Sequence, residues 1–332
     1  MKTHLTHAER MAKCISGEKM DRPPVSLWRH FPVDDQTPEG LAAATLHFQN
    51  TYDFDFVKVT PSSSFCLQDW GVEDEWRGSS EGVREYTKHI IQEPEDWLTL
   101  KTLDPQQGWL GKQLDCLRII TKSLGKDVPV IQTIFNPLSQ AKNLAGNGRL
   151  LAHLRRYPDA VQAGLRIISE STLRFVEACQ HCGIAGVFYA VQHAQYGLLS
   201  EDEYLRFGCA YDNQVLAPAA GFWLNVLHLH GNDIMAHLFM NYPVQVLNWH
   251  DQETSPSLSE AQKTFKGAVC GGLRQWKTMA LGTPQNVETE AKAALEATQS
   301  KRFILGTGCV TPIIASHGNI LSARRSVEAF CA

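Results

Sequence analysis

The sequence predicts an α/β fold, a single-domain (β/α)8 TIM barrel over residues 1–332 with a lid or hairpin inserted at 61–127 after the second strand. Three observations carry this expectation. Short β-rich runs alternate with longer helical patterns, which is how a parallel sheet with crossover helices is written. Eight such units in 332 residues suit a closed ring better than an open doubly wound sheet. No GxGxxG follows the first strand, as an open dinucleotide-binding sheet would require.

The elements follow in order. "PVSLW" (24–28) reads as a strand and "PEGLAAATLHFQNTY" (38–52) as a helix. "FDFVKVT" (54–60) and "VPVIQTIF" (128–135) are strands, separated by Trp- and charge-rich, weakly periodic material. Trp70, Trp76 and Trp109 in that stretch are expected to pack the lid. A long apolar stripe runs through 158–182 and stops at Gly183. "AGVFYAV" (185–191) is a strand, followed by a helix that Ser200 opens with Glu201 and Asp202 in its first turn. Then come strands "LNVLHLH" (224–230), "VQVLNW" (244–249), "GAVCGGL" (267–273) and "RFILGTG" (302–308), with helices expected over 232–240, 257–265 and 286–299. No shift in composition marks a linker.

Composition narrows the function classes. The formal net charge is −4 at pH 7 without a block of like charge, which argues against nucleic acid or an anionic membrane as the main partner. The opening "MKTHLTHAERMAKCISGEKMDRPP" holds no apolar leader core, and no later run approaches a membrane span, so a cytoplasmic protein is expected. The 9 cysteines are scattered, which fits a reducing compartment better than a disulfide framework. Cys179 and Cys182 form a CxxC at a helix end, without the second CxxC or helix N-terminus that zinc or redox chemistry would want. They read as structural.

Chemistry in a parallel barrel sits at the carboxyl ends of the strands, and polar residues gather there. Arg29 and His30 follow the first strand, Asn136 the third, Gln192 and His193 the fourth. His228 and His230 end the fifth, His250 and Asp251 follow the sixth, and Cys309 follows the last. Residues i and i+2 of a strand face the same side, about 6–7 Å apart, so "HLH" points both imidazoles one way. Gly231 then lets the chain bend. Two imidazoles and one thiolate make a three-ligand zinc site with a vacant position. Spacing alone leaves a second reading open, in which the histidines line a polar pocket and Cys309 packs. Of the remaining candidates, His193 reads as a fourth ligand or general acid and His250 as half of an acid–base pair with Asp251. Adjacent strand residues face opposite ways, so one of that pair is expected in the site and one outside. Arg29 is placed to anchor a carboxylate or phosphate, and His30, Asn136 and Gln192 to line the substrate site.

These residues belong to segments that resemble the uroporphyrinogen decarboxylase superfamily over nearly the whole chain. The segments are "ERMAKCISGEKMDRPPVSLWRH", "LLSEDEYLRFG", "LHLHGN", "VCGGLRQWKTMALGTPQNVETEAKAAL" and "FILGTGCVTP…GNILSARRSV". The resemblance implies a (β/α)8 barrel and one of two activities. Porphyrinogen decarboxylases carry two arginines after the first strand, where only Arg29 matches. They place an aspartate after the second strand, where this chain has "VTPSSSF". Their tyrosine after the strand at 128–135 and their histidine near the last strand are also missing, and Cys309 occupies the latter region. The zinc-dependent methyltransferases acting with methylcorrinoid proteins carry a His-x-Cys and a later Gly-Cys. His228 and Cys309 match them, and His230 replaces the first cysteine. One thiolate and two imidazoles leave Zn²⁺ more positive than two thiolates and one imidazole would, which favours ionisation of a bound thiol but weakens it as a nucleophile.

The resemblance and the residues together point to Zn²⁺ on His228, His230 and Cys309, and to methyl transfer between a small substrate and a corrinoid partner protein. The oligomeric state is left open. The alternatives are a metal-free decarboxylase and a non-catalytic barrel that binds a tetrapyrrole or corrinoid.

Overall fold

The computed structural model describes residues 4–328. The outermost residues of the expected domain, 1–3 and 329–332, lie outside them. Seven strands form one parallel sheet: β1 (Val57–Val59), β4 (Val130–Phe135), β5 (Gly186–Val191), β6 (Val226–Leu229), β7 (Val246–Trp249), β8 (Ala268–Leu273) and β9 (Phe303–Thr307), adjacent in that order. Every residue in them is buried. A parallel strand covered on both faces has no reason to alternate polar and apolar positions, which is why these runs read as continuous Val, Ile and Leu. Helices separate most of them and cover the sheet. In the helix Pro158–Cys179 the buried stripe Val161, Leu165, Ile168, Thr172, Phe175 and Cys179 recurs at helical spacing.

The segment Pro24–Leu27 lies between the two edge strands. Ser26 N–H donates to Leu305 O of β9, Leu305 N–H donates to Pro24 O, and Asp55 N–H at the start of β1 donates to Val25 O. Asp55 clamps this junction. Its fully buried carboxylate accepts from Arg10 and Arg22 (both 2.7 Å), His7 (2.9 Å) and the Val25 amide (2.8 Å). It thereby ties the first helix, His7–Ser16, to the sheet edge.

Two stretches differ from expectation. The 61–127 segment divides in two. Strands β2 (Glu73–Glu75) and β3 (Glu85–Lys88) pair as an antiparallel hairpin, whereas the helix Gly108–Leu124 packs on the helix Pro38–Tyr52 in the outer layer. The helix expected over 232–240 is reduced to the 3₁₀ turn Ala236–Phe239. Left-handed backbone at Gly231 and Asp233, together with a bridge from Ile234 to Gln195, holds the chain there in a non-helical path. Elsewhere Ser200, Ser257 and Thr283 cap the helices that follow them through reciprocal bonds with residues three positions on. No helix among the described residues is long and apolar enough to cross a membrane.

Burial alone would raise the pKa of Asp55, but His7, Arg22 and Arg10 outweigh it and hold the carboxyl well below the usual range. Its ionised form therefore contributes stability that is fully present above the unfolded pKa near ~3.9 and is lost as pH falls toward the folded value. Asp55→Asn is expected to cost about 3–5 kcal/mol at neutral pH, because it leaves buried guanidinium groups unbalanced. Denaturant titrations from pH 7 down to pH 3 should show the difference from wild type shrinking below about pH 4. A pH-independent difference would contradict the assignment.

Candidate metal centre

Strand register builds the site. Ala190 of β5 pairs with His228 of β6, His228 with Asn248 of β7, and Asn248 with Cys270 of β8. Leu229 pairs with Trp249, so His230 and His250 follow as neighbours one position beyond the ladder. The alternation of a strand then presents His228, His230, Asn248 and His250 on the same side. Cys309 arrives from the end of β9. Gly308 permits this, since a Cβ there would stand 2.7 Å from His250 Cα and 2.8 Å from Trp249 O. Gly231, at φ 97°, turns the chain away after the second histidine.

The outcome is a cluster of His228, His230, His250 and Cys309 whose ligand atoms all lie within 4.8 Å of one another. His230 Nδ1 is 3.3 Å from His250 Nε2 and 3.7 Å from Cys309 Sγ. Donors at ordinary Zn–N and Zn–S lengths sit about 3.3–3.8 Å apart in a tetrahedron, so the cluster needs only a small contraction to hold one ion. The three donors read from the sequence are brought together, and His250 joins them as a fourth. His228 is buried, and the other three are partly exposed.

Two of the three rings are oriented from behind. The Asn248 side-chain NH₂ donates to Cys270 O (2.9 Å) and Thr307 O (3.0 Å), which leaves its Oδ1 as the acceptor facing His228 Nδ1 at 2.7 Å. His228 must then carry its proton on Nδ1, with the Nε2 lone pair free for the cluster. Glu253 Oε2 plays the same part for His250 Nδ1, at 3.1 Å. Burial, reinforced by the neighbouring imidazoles, keeps His228 well below its usual pKa and His230 near 4, so both are neutral at pH 7. Burial pushes the Cys309 thiol up to about 11, with the Val310 amide and Lys58 acting in the opposite sense. A thiolate there calls for an adjacent cation, and neutral imidazoles beside it are the donors a divalent metal takes.

His228, His230 and Cys309 open onto a cavity of about 520 Å³, while His250 lines a separate small recess behind them. Residues Glu81–Tyr86 of the β2–β3 hairpin form part of the cavity wall. Glu81 accepts from Gln275 and Trp276 (both 3.1 Å), Ser80 O accepts from Ile313 N–H (2.9 Å), and Arg84 donates to Pro32 O (2.8 Å).

The other residues singled out in the sequence fall in different places. His30 and Gln192 line the cavity, and Gln192 Oε1 is buried there without a partner. His30 is driven to about 3 by burial and by Lys58. His193 sits behind the cavity wall, its Nε2 3.1 Å from Asn147 Oδ1, and burial, Lys142 and His230 bring it to about 3. It is neutral at pH 7 and carries no proton to donate as an imidazolium. Asn136 is fully buried away from the cavity, where it caps the helix Pro137–Ala145 and donates to Asp212 (3.0 Å). Arg29 stacks over Phe31 and lines a separate depression beside Tyr52 and His317. Asp251 points away from the cluster and accepts from the Gly272 amide at 3.2 Å. Cys179 and Cys182 are both buried at a helix end. Three polar residues of this region were not singled out in the sequence: Lys58 in "FVKVT", Lys142 in "QAKN" and Asn248 in "VLNW". For Lys58 and Asn248 the available signal was a charge or an amide inside an otherwise apolar strand, which a fully buried strand does not tolerate without a purpose; Lys142, in the helix Pro137–Ala145, carried no such signal.

Comparison with known proteins adds the family. Over 224 residues, 67% of this chain, the sequence is 24% identical to the methylcobamide:CoM methyltransferase MtbA of Methanosarcina mazei. Over 227 residues, 68% of the chain, it is 22% identical to MtbA of Methanosarcina acetivorans. In both cases the match spans 64% of the relative's own length. A solved structure described as a methyltransferase from Methanosarcina mazei superposes with a TM-score of 0.85 at 17% identity, covering 99% of this chain and 100% of that one, so the fold is shared end to end. The sequence profile of uroporphyrinogen decarboxylase (URO-D) matches residues 6–329, and the chain is a member of that family.

Proposed function

We propose that this protein is a metal-dependent methyltransferase that moves a methyl group between a small substrate and a corrinoid protein. The observation that carries the reading is the convergence of His228, His230, His250 and Cys309 at the mouth of the sheet, with the free nitrogens of His228 and His250 selected by Asn248 and Glu253. The names of the Methanosarcina relatives support the same branch of the family. Against porphyrinogen decarboxylation stands the stretch after β1, where Ser62 and Ser64 bond to each other at 3.1 Å in place of a carboxylate. In this reading the sheet closes as a (β/α)8 barrel with Pro24–Leu27 in the eighth position, and the hairpin is its lid.

His228, His230 and Cys309, with His250 beside them, would hold Zn²⁺. When bound, the ion supplies Lewis acidity that favours the thiolate of a thiol substrate or polarises a methylated heteroatom. The remaining work falls to the chain. Asn248 fixes the His228 tautomer, and Phe188 stacks on the His228 ring at 5.3 Å between centroids. Glu253 accepts from His250 Nδ1 and so turns the Nε2 lone pair of His250 toward the cluster. The hairpin, bonded to Trp276 and Ile313, would serve as a lid that shields the cavity when closed and opens for a corrinoid to approach.

Elemental analysis of protein purified without chelator should find one equivalent of a transition metal, lost in His228→Ala. Stoichiometric metal retained by that variant would overturn the assignment. Asn248→Leu should fold and still bind metal, but about 10–100-fold more weakly, as loss of an outer ligand partner does. An unchanged affinity in a metal competition titration would remove Asn248 from the site. For activity, free methylcobalamin can stand in for the corrinoid protein. Visible spectra should report its demethylation by small thiols in the metal-loaded protein and not after chelation.

A further inference from the structure

The hairpin is fastened to the body of the molecule by a buried cluster whose charges do not balance. Strand alternation sets it up: Glu73 and Glu75 of β2 point to solvent, and Asp74 between them points inward. On the body, the turn Asp34–Gln36 presents Asp35, whose side chain is fully buried. Arg84, just before β3, lies between the two acids. Its Nε donates to Asp74 Oδ1 (2.7 Å) and its Nη1 to Pro32 O (2.8 Å). Asp35 Oδ1 stands 3.8 Å from that Nη1, beyond hydrogen-bond length, and accepts from the Gln36 side chain instead. Asp35 Oδ2, Asp74 Oδ2 and the indole nitrogen of Trp76, two positions beyond Asp74, are buried with no partner among the described residues.

Two carboxylates therefore share one guanidinium, and with both ionised the cluster buries an excess negative charge, which is costly. The surroundings do not offset it. On the turn itself Asp34 adds to the same sign, and Arg29 sits over Phe31 and acts on Asp34. On the helix Pro38–Tyr52, packed against the turn, Glu39 and His47 are exposed and Tyr52 bonds to His317. The hairpin's remaining charges are engaged elsewhere: Glu73 with Lys88 and Glu75 and Glu85 with Arg77 on its outer face, and Glu81 with Gln275 and Trp276. Burial, reinforced by Asp74 and Asp34 and opposed by Gln36 and Arg84, raises Asp35 to about 6.

We propose that Asp35, Asp74 and Arg84 form a proton-operated latch on the hairpin. With Asp35 protonated, one carboxylate and one guanidinium remain, and the hairpin is held on the turn Asp34–Gln36. When that proton leaves to solvent, the uncompensated carboxylate favours the open hairpin, in which both acids are hydrated. The sign follows from linkage, because the closed form binds the proton more tightly than the open one. The contact is fully favourable below the ordinary aspartate value of about 3.9 and is lost as pH rises through about 6. Arg84 also lines the cavity, so the latch acts on its wall. That opening admits a corrinoid rests on the lid reading above, whereas the latch stands on these three residues alone.

Hydrogen–deuterium exchange of the full-length chain from pH 5 to pH 8, corrected for the intrinsic pH dependence of amide exchange, follows the opening in residues 73–88. Protection there should fall about 10-fold across that range, the factor that a closed-state value near 6 implies. The helix Pro158–Cys179 should stay unchanged and report that the fold is intact. Asp35→Asn, uncharged throughout and of the same shape, should keep the hairpin protected at pH 8 and abolish the dependence. Asp74→Asn, which leaves Arg84 to Asp35 alone, should move the transition below pH 5. Glu75→Gln, on the outer face beside Arg77, should change nothing. Protection of 73–88 that is flat in the wild type, or a dependence that survives in Asp35→Asn, would overturn the latch while leaving the metal and methyl-transfer reading intact. A dependence that Asp35→Asn abolishes, in a protein that neither holds metal nor demethylates methylcobalamin, would uphold the latch and remove that reading.

Discussion

One carboxamide holds the centre of this molecule together. Asn248 projects from β7 and makes three bonds at one level of the sheet, to His228 of β6, Cys270 of β8 and Thr307 of β9. Its NH₂ is committed to two carbonyls, so its oxygen can only accept, and that constraint passes to the imidazole it faces. The neighbouring strands are thereby locked in register at the height where the ligand atoms must meet. A shift of one residue in any of them would turn its side chains to the other face and disperse the cluster. Stability of the sheet and preparation of the site are the same set of contacts.

Around this core the electrostatics are consistent. Burial keeps His228, His230, His30 and His193 neutral, so the imidazoles offer lone pairs and contribute no charge. It also makes the Cys309 thiolate dependent on a neighbouring cation. A divalent metal satisfies both conditions at once. With one thiolate and neutral imidazoles it would keep a net positive charge. At the opposite end Asp55 shows the converse arrangement, a buried carboxylate surrounded by more than one cation, where charge is fully paired and the role is architectural.

Much of this was legible in the chain. Continuous apolar runs located each strand of the sheet because parallel strands are covered on both faces, and the position of "VSLW" matched the segment that meets both sheet edges. His228, His230 and Cys309 could be paired because i and i+2 share a side and because chemistry collects at strand ends. Other features were not readable. In the sequence His250 reads as a proton carrier with Asp251, and its place beside His230 follows only from the β6–β7 register, which local sequence does not encode. Asn136 and Arg29 stand at strand ends like the true cavity residues, yet a helix cap and an aromatic neighbour draw them elsewhere. Lys142 sits in a helix, and its place on the cavity wall is a property of tertiary packing that local sequence does not carry. The short turn at 236–239 escaped for a similar reason, since left-handed backbone at 231 and 233 overrode a helical pattern.

The claim beneath all of this is that four side chains from three strand ends share one ion. X-ray absorption at the edge of the bound metal tests it most directly. The account predicts a first shell of imidazole nitrogens at about 2.0–2.1 Å with a single sulfur at about 2.3 Å, the sulfur signal vanishing in Cys309→Ser. A shell of light atoms alone, or one with sulfur that persists in that variant, would contradict it.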